Sequence, residues 1–303
     1  MQEGSRKAII AAFFANLGIA VAKFVGFLLT GASSMLAEAV HSMADTSNQG
    51  LLLLGGNRAR RQADDDHPFG YGRERYFWSF VVALVIFTLG SMFALFEGEE
   101  KLRHPHQLES APIAVAILVV AIALESYSLR TAIKESRHTK GDESWWCFIR
   151  RSKIPELPVV LLEDVGAEIG LVFALAGIGL SELTGNPRFD AVGALAIGVL
   201  LGAIAIILMI EMKGLLIGES ANPEIRAKIR AAMQGDPDVR QVIHMRTQHL
   251  GPDELLVAAK LGVSPDLAFR QVADAIDRVE ASVRAAVPEA RIIYIEPDVP
   301  RSA

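Results

Sequence analysis

Six long apolar segments dominate the first two thirds of the chain. Each contains about 20 residues or more with few charges, enough for one helix to cross a hydrocarbon core of about 30 Å. The pattern therefore predicts a six-helix transmembrane domain over residues 1–213. The segments run from Lys7 to Thr30, Ser33 to Gly56, Arg75 to Phe96, Ala111 to Ile133, Leu157 to Leu180 and Phe189 to Met212.

The pattern changes after Lys213, where the long apolar runs end. Asn222 followed by Pro223 is typical of a helix start, with Asn at the N-cap and Pro at the first helical position. Residues 214–303 are predicted to form a small cytoplasmic α+β domain with the element order αββαβ, which fits a ferredoxin-like fold. The predicted elements are a helix (Pro223 to Gln234), two strands (Val239 to Gln248 and Glu254 to Val263), a helix (Pro265 to Val287) and a strand (Arg291 to Glu296).

The loop between the fourth and fifth spans is long and includes an insertion over residues 136–156. It contains Trp145 and Trp146, followed by the basic pair Arg150 and Arg151. Adjacent Trp residues beside basic residues suit the lipid headgroup region, so we expect a short interfacial helix that anchors the loop. A regulatory or gating role for this loop is the alternative.

Composition and charge support a membrane protein and set its orientation. The 303 residues are 51% hydrophobic, with a mean hydropathy of +0.32. Fourteen Lys and Arg residues lie at the N-terminus and in the second-to-third and fourth-to-fifth loops, against three in the opposite loops. Positive residues are retained on the cytoplasmic side, so both termini are expected in the cytoplasm, with a bacterial inner membrane as the simplest location. No cleavable signal or transit peptide is expected.

Two further numbers exclude other classes of protein. Cys147 is the only cysteine, so neither an intramolecular disulfide nor a thiolate zinc cluster is expected. The net charge of −5 is mild and gives no reason to expect a nucleic-acid partner.

Two pairs of ionisable residues interrupt the apolar segments. His41 and Asp45 lie in the second segment, and Asp164 and Glu168 in the fifth. Residues four apart share a helix face, and each carboxylate at membrane depth costs roughly 2.5 to 3.5 kcal/mol to insert. Because both pairs are predicted at a similar depth, the four groups are expected to share a metal ion. An N/O donor set of this kind suits Zn²⁺, and also admits Mn²⁺, Fe²⁺ or Co²⁺.

Glu38 and Glu163 are further carboxylates near these pairs. Each lies off the face of the four groups or nearer a membrane surface, so we expect them behind the ligands or along the path to the site.

The residues from Ala37 to Asp45 resemble the second-span signature of the cation diffusion facilitator family. The segment from His67 to Arg73 is similar to the one that precedes the third span in that family. The resemblance covers nearly the whole chain, since six spans and an αββαβ tail also match. Within the family, the segments Asp45 to Leu52, Leu161 to Asp164 and Thr184 to Pro187 look most like the branch containing the eukaryotic mitochondrial zinc exporter.

The resemblance implies a homodimeric secondary transporter that exports divalent metal ions in exchange for protons, with no enzymatic activity and no prosthetic group. It also implies that His41, Asp45, Asp164 and Glu168 form the transport site. Many zinc members carry His at the position of Asp164 and Asp at that of Glu168, so the transported metal stays open among zinc, cobalt, iron(II) and manganese. A metal-sensing scaffold that does not transport is the alternative function.

The auxiliary metal sites of bacterial relatives are poorly preserved. Asp64 and His67 match ligand positions in the second-to-third loop, but Tyr71 stands where a third ligand, usually His, is found. We expect weak or absent metal binding there. A two-metal site in the tail is also not expected, because Tyr294 and Ala259 occupy two of its positions. Arg73 or Arg75 is expected to couple this loop to the tail, with Glu219 as the nearest acidic partner.

Overall fold

The computed structural model describes residues 3–105 and 111–299, and only the backbone of residues 3–15 and 138. The chain forms two compact units. The first contains the chain up to Gly56 together with Phe77–Met212. The second contains Asn57–Tyr76 and the chain from Lys213 onward, so the second-to-third loop folds with the C-terminal domain.

The first unit is helical throughout its described part. Gly31 and Gly185, with φ of 63° and 68°, form left-handed turns between consecutive helices, a conformation that glycine adopts without strain. The helices are α1 (Glu3–Thr30), α2 (Ser33–Arg58), α3 (Glu74–Val85), a π-helical segment (Ile86–Met92), α4 (Phe93–Arg103), α5 (Ala111–Lys140), α6 (Trp145–Arg151), α7 (Glu156–Thr184) and α8 (Arg188–Ile217).

In the described part of the chain, three helices are both long and apolar enough to cross a membrane. They are Glu74–Arg103, which joins α3, the π-helical segment and α4, then Ala111–Arg137 and Arg188–Ile217. Helices α1, α2 and α7 have similar lengths of 28, 26 and 29 residues. The helical transmembrane class is thus confirmed, whereas the count of six spans stays a prediction.

The core of the first unit consists of aliphatic side chains and small residues. Helix α5 packs along α7, and α1 packs against α5. Gly177 of α7 faces Gly193 of α8, where an added Cβ on either residue would lie 3.3 to 3.4 Å from the other's Cα. Small residues at such crossings let helix backbones approach closely, so they fix where α7 lies in the bundle.

A buried carboxylate fixes the beginning of α2. Asp190 of α8 accepts hydrogen bonds from the backbone N–H of Ser33 (2.8 Å) and from Lys101 Nζ (2.8 Å). Lys101 also donates to the carbonyl of Gly31 (2.9 Å). Helix N-termini favour negative charge, and here a neighbouring helix supplies it. The helix that carries His41 is therefore held at its start by α4 and α8.

The fourth-to-fifth loop contains the short helix α6. Ser144 caps it, because its Oγ accepts from the backbone N–H of Cys147 (3.2 Å). Phe148 and Ile149 are buried in a small cluster with Ala132 and Leu161, while Trp146 is exposed. The predicted helix is present, and membrane anchoring by its tryptophans stays a prediction.

The C-terminal part of the second unit is a small α+β domain, as predicted. Its sheet has the order β1-β2-β3, in which β1 pairs antiparallel with β2 and β2 pairs parallel with β3. Its elements are α9 (Pro223–Gln234), β1 (Val239–Gly251), β2 (Glu254–Val263), α10 (Phe269–Ala286) and β3 (Ile292–Asp298). Helix α10 begins four residues later than predicted, because residues 264–267 form a turn closed by Leu267 N–H to Ser264 O (3.4 Å).

The second-to-third loop contacts the β1–β2 hairpin within this unit. A Cβ on Gly72 would lie 2.7 Å from the carbonyl oxygen of Leu250, so only glycine fits there. Arg75 Nη1 lies 3.0 Å from Asp253 Oδ2 in the hairpin turn. The expected coupling through Arg75 therefore has Asp253 as an acidic partner, a residue that spacing along the chain did not identify.

Candidate metal site

Helix α2 brings His41 and Asp45 together as the sequence predicts. Both are buried, and His41 Nδ1 lies 3.4 Å from Asp45 Oδ1 without hydrogen-bond geometry. The i,i+4 spacing stacks the two side chains on one helix face. They form one half of a donor set, with a ring nitrogen and carboxylate oxygens facing the bundle interior.

The carboxylate that α7 presents to α2 is Glu163. It lies within hydrogen-bonding reach of Asp45, and Asn48 Nδ2 donates to Glu163 Oε1 (2.7 Å). Two carboxylates at this distance repel unless a proton or a cation lies between them. Glu163 therefore lies beside Asp45 and Asn48, and its expected role behind the ligands or along the path to the site stays a prediction.

Asp164 and Glu168 instead contact α5. Ser128 Oγ donates to Asp164 Oδ2 (3.1 Å), and Ser126 Oγ donates to Glu168 Oε1 (2.8 Å). Consecutive helical residues differ by about 100° around the axis, so Glu163 and Asp164 point to different neighbours. Among the described residues, no three His, Cys, Asp or Glu side chains form a group that could hold one metal ion. Convergence of His41, Asp45, Asp164 and Glu168 therefore stays a prediction.

Buried polar atoms at these residues lack hydrogen-bond partners among the described residues. They are both ring nitrogens of His41, Asp45 Oδ1, Glu168 Oε2 and Glu38 Oε1. Buried polar atoms are normally satisfied, so these unsatisfied N and O atoms call for an explanation. All five are donor atoms that Zn²⁺ or a similar divalent ion accepts. The chemistry of these donor atoms therefore fits a divalent metal ion as cargo, while their convergence on one ion stays a prediction.

Glu38 lies one turn from His41 and is paired with a lysine. Lys23 Nζ of α1 lies 3.0 Å from Glu38 Oε2 and donates to Ser42 Oγ at 2.7 Å. Lys23 and Glu38 are fully buried. A methyl group on Gly170 of α7 would overlap Glu38 Oε1, so the carboxylate reaches across to α7.

Sequence reasoning missed Lys23 and Glu125. Glu125 of α5 is buried and lies within electrostatic range of Lys23 and Glu168. Both residues are charged groups inside apolar segments, which is the same signal that identified His41 and Asp45. They were overlooked because neither belongs to a pair of metal-ligating residues four apart.

Asp64 in the second-to-third loop accepts two hydrogen bonds. Tyr71 OH donates to Asp64 Oδ2 (2.6 Å), and the backbone N–H of His67 donates to Asp64 Oδ1 (2.8 Å). These bonds, the tyrosine hydroxyl first, lower the pKa of Asp64, and the same contact raises the pKa of Tyr71. The Tyr71 ring also stacks on His67, with centroids 4.3 Å apart. Tyr71 thus donates a hydrogen bond to Asp64 from the position where a third metal ligand would be expected.

Two family models match the chain. The cation efflux transmembrane domain matches residues 9–216, and the cytoplasmic domain of cation efflux proteins matches residues 221–298. Together they cover most of the sequence, and their boundary falls between α8 and α9.

Several curated proteins are similar over most of this chain. The mitochondrial proton-coupled zinc antiporter SLC30A9 of Mus musculus is 34% identical over 252 residues, covering 82% of this chain and 44% of its own length. Metal tolerance protein C4 of Arabidopsis thaliana is 30% identical, covering 85% and 57%. The magnetosome protein MamB of Magnetospira sp. (strain QH-2) is 26% identical, covering 90% and 89%. The chain thus spans about half the length of the first two relatives.

Solved structures that are similar to part of this chain include C-terminal domains of MamM. A nickel form of a variant of the MamM C-terminal domain is 21% identical to this chain, with a TM-score of 0.25, and covers 26% of this chain and 100% of its own.

Proposed function

The chain belongs to the cation efflux family, and from that membership we propose that it is a secondary-active exporter of divalent metal ions, rather than an enzyme. The observation that best supports this is the set of unsatisfied N and O atoms of His41, Asp45 and Glu168 inside the helical unit. The chain spans only about half the length of SLC30A9 and metal tolerance protein C4, so the activity is argued from its own residues.

Zinc is the cargo we propose. An imidazole nitrogen with carboxylate oxygens is a donor set typical of Zn²⁺. The printed name of the SLC30A9 relatives, a proton-coupled zinc antiporter, supports the same choice. Cobalt, iron(II) and manganese are the alternatives, because carboxylate-rich sites also bind these ions.

We propose that His41, Asp45, Asp164 and Glu168 bind the ion, with Glu163 as an additional oxygen donor. Glu163 already contacts Asp45 across the α2–α7 boundary. A small rotation of α7 about its axis would move Asp164 and Glu168 away from their serine partners on α5. Both carboxylates would then bind the metal ion together with the residues of α2. Such a rotation is the conformational change that this transport site requires.

Proton exchange follows from the chemistry of the donors. A divalent cation needs deprotonated carboxylates and a neutral imidazole, so metal ions and protons compete for the same atoms. If the site opens to one side at a time, protons entering from outside displace the metal ion. Their release into the cytoplasm then restores the affinity, and an inward proton gradient drives export.

We further propose a homodimer in the inner membrane with both termini in the cytoplasm. The match to the cytoplasmic domain of cation efflux proteins supports dimerisation, and the excess of Lys and Arg in alternate loops supports the orientation.

Reconstituted liposomes test the function. Zinc uptake should follow an imposed pH gradient in the wild-type protein and fall to the level of empty liposomes in Asp45→Ala. Glu182→Ala, which removes an exposed carboxylate near the end of α7, is the matched control and should transport at the wild-type rate. Wild-type flux no higher than that of Asp45→Ala would reject transport and favour the metal-sensing scaffold.

A metal panel tests the cargo. Competition of Zn²⁺, Co²⁺, Fe²⁺ and Mn²⁺ for the purified protein should place zinc first. Glu168→Asp shortens one proposed ligand by a methylene and should change affinity and selectivity together. If it changes neither, Glu168 is not a ligand.

A further inference from the structure

Lys23 is a positive charge inside the helical unit, close to the proposed metal site. Its Nζ lies 3.0 Å from Glu38 Oε2 and 2.7 Å from Ser42 Oγ, and the side chain is fully buried. A lysine at membrane depth is costly and is tolerated where it pairs with a carboxylate or serves a function. An ion pair with a purely structural role does not need to lie next to a cation site. The position of the Lys23–Glu38 pair beside the proposed metal site therefore requires an explanation.

Only one of the two carboxylate oxygens of Glu38 bonds to Lys23. Its Oε1 is buried and has no hydrogen-bond partner among the described residues. That oxygen is directed at α7, where Gly170 has no side chain to block it. An unpartnered carboxylate oxygen between α2 and α7 is a vacant donor for a cation.

Glu38 Oε1 lies on one side of the proposed metal site along the axis of α2. Contacts of Asn48 with Glu163 and of Glu38 with Gly170 show that α2 and α7 run antiparallel. Glu38 precedes Asp45 by seven residues, about 10 Å along the helix. It lies toward the beginning of α2, whereas Glu163 and Asn48 lie toward its end.

We propose that Lys23 is a tethered cation that holds Glu38 when no metal ion is near, and that Glu38 becomes a transient metal ligand on the path from the site toward the beginning of α2. This inference depends on the proposed transport function. Lys23 has three N–H donors and a second acceptor in Ser42, so its ammonium group can release Glu38 and stay bonded. The metal ion and the ammonium group of Lys23 then compete for the carboxylate of Glu38. Because of this competition, the metal ion does not bind Glu38 tightly enough to remain there.

Substitutions of the two partners should change zinc affinity in opposite directions. Lys23→Met frees Glu38 for the metal ion, so the zinc Kd should fall about tenfold while zinc flux slows about tenfold. Glu38→Gln leaves the ammonium group without its carboxylate, so the zinc Kd should rise about tenfold. The double variant Lys23→Met/Glu38→Gln removes both charges, and its Kd should return to within about threefold of wild type.

Controls separate this role from simple packing. Lys134→Met removes an exposed lysine of α5 and should leave the zinc Kd unchanged. Lys23→Arg keeps the ion pair and should retain most of the wild-type affinity. If Lys23→Met does not fold, the comparison of Glu38→Gln with the double variant still tests the proposal, because recovery of the affinity in the double variant would assign the loss to the unpaired ammonium group of Lys23.

Equilibrium binding of zinc to purified protein, together with flux in liposomes, distinguishes the outcomes. A Kd that rises in both single variants, or is unchanged in both, would overturn the role of Lys23 and leave a structural pair. If Asp45→Ala and wild type bind zinc equally and neither transports, the proposed function fails. The opposite Kd changes in Lys23→Met and Glu38→Gln alone would support the proposal.

Discussion

Glu163 faces α2 because of its position on α7. It shares a helix face with Gly170, seven residues later, and both lie against α2. Asp164 and Glu168 lie on the adjacent face and bond to serines of α5. At the scale of single residues, a rotation of 100° per position decides which carboxylate of α7 faces α2.

Glu163→Gln should weaken zinc binding about 10- to 100-fold, because it removes a charged oxygen in contact with Asp45. Equilibrium zinc binding to the purified variant measures this. Glu182→Gln on the same helix is the control and should bind as wild type does. Unchanged affinity in Glu163→Gln would show that the contact with Asp45 is only structural.

Gly170→Ala should reduce zinc flux and stability, because its methyl group overlaps the carboxylate of Glu38. Overpacking of this kind costs about 1 to 3 kcal/mol. Gly179→Ala is a matched substitution on the same helix, with no atom within 4 Å of the added carbon. It should keep full flux and gain up to about 1 kcal/mol in helix stability. Thermal unfolding and liposome flux of the two variants check this, and equal losses in both would contradict the expected overlap.

At the scale of elements, an ion pair ties α10 to the turn before β1. Arg278 donates to Asp236 (2.8 Å) and to Asp238 (2.7 Å). The Arg278 hydrogen bonds hold the pKa of Asp236 below its usual value. A lowered native pKa means that this pair stabilises the fold above the ordinary Asp pKa of about 3.9. The contribution is lost as the pH falls through the lowered value.

Arg278→Gln should therefore raise the pKa of Asp236 toward that of an ordinary aspartate. An NMR titration of the carboxyl carbon in the detergent-solubilised chain measures this. Lys228→Gln removes an exposed basic residue of α9 and, as the control, should leave the pKa of Asp236 unchanged. An Asp236 pKa that stays low in Arg278→Gln would assign the shift to the backbone N–H of Asp238, which is its other donor (3.0 Å).

The sequence predicts helices and strands well where a single local pattern, such as an apolar run or a helix cap, determines them. Runs of apolar residues located the helices, and Asn222 with Pro223 located the start of α9. Which face of α7 meets α2 could not be predicted, because it depends on the rotation set by packing against α5 and α8. The pairing of Lys23 with Glu38 depends equally on how α1 and α2 approach. The orientation of α7 and the Lys23–Glu38 pair both depend on contacts between helices. The periodicity of residues along one helix carries no information about these contacts.

At the scale of the whole molecule, residues 57–76 connect two helices of the first unit but fold with the second. Gly72 and Gly251 approach so closely that neither tolerates a Cβ without movement of the backbone. The hydrogen bonds that Asp64 accepts from Tyr71 and His67 order the same loop. The loop that follows α2 is thus part of the C-terminal unit by packing, although its position in the sequence places it within the predicted transmembrane domain.

Arg75→Gln should speed hydrogen exchange of residues 57–76 about two- to fivefold, because it removes the bond to Asp253, a partly exposed ion pair. Hydrogen–deuterium exchange with mass spectrometry measures this. Arg103→Gln breaks an exposed pair with Glu99 in the other unit and should leave the exchange of this loop unchanged. Equal protection of the loop in wild type and Arg75→Gln would mean that the glycine contact alone holds it.

The π-helical segment Ile86–Met92 contains one residue more than regular α-helical turns would need. Deleting a single residue there would restore uniform winding and leave the following residues at nearly the same angle about the helix axis. A deletion between Phe93 and Lys101 would instead turn Lys101 by about 100°, away from Asp190, and the start of α2 would lose its anchor. The π-helical segment thus absorbs a one-residue change in length, so alignments of homologous chains should show single-residue gaps at this segment without changes at Lys101 or Asp190.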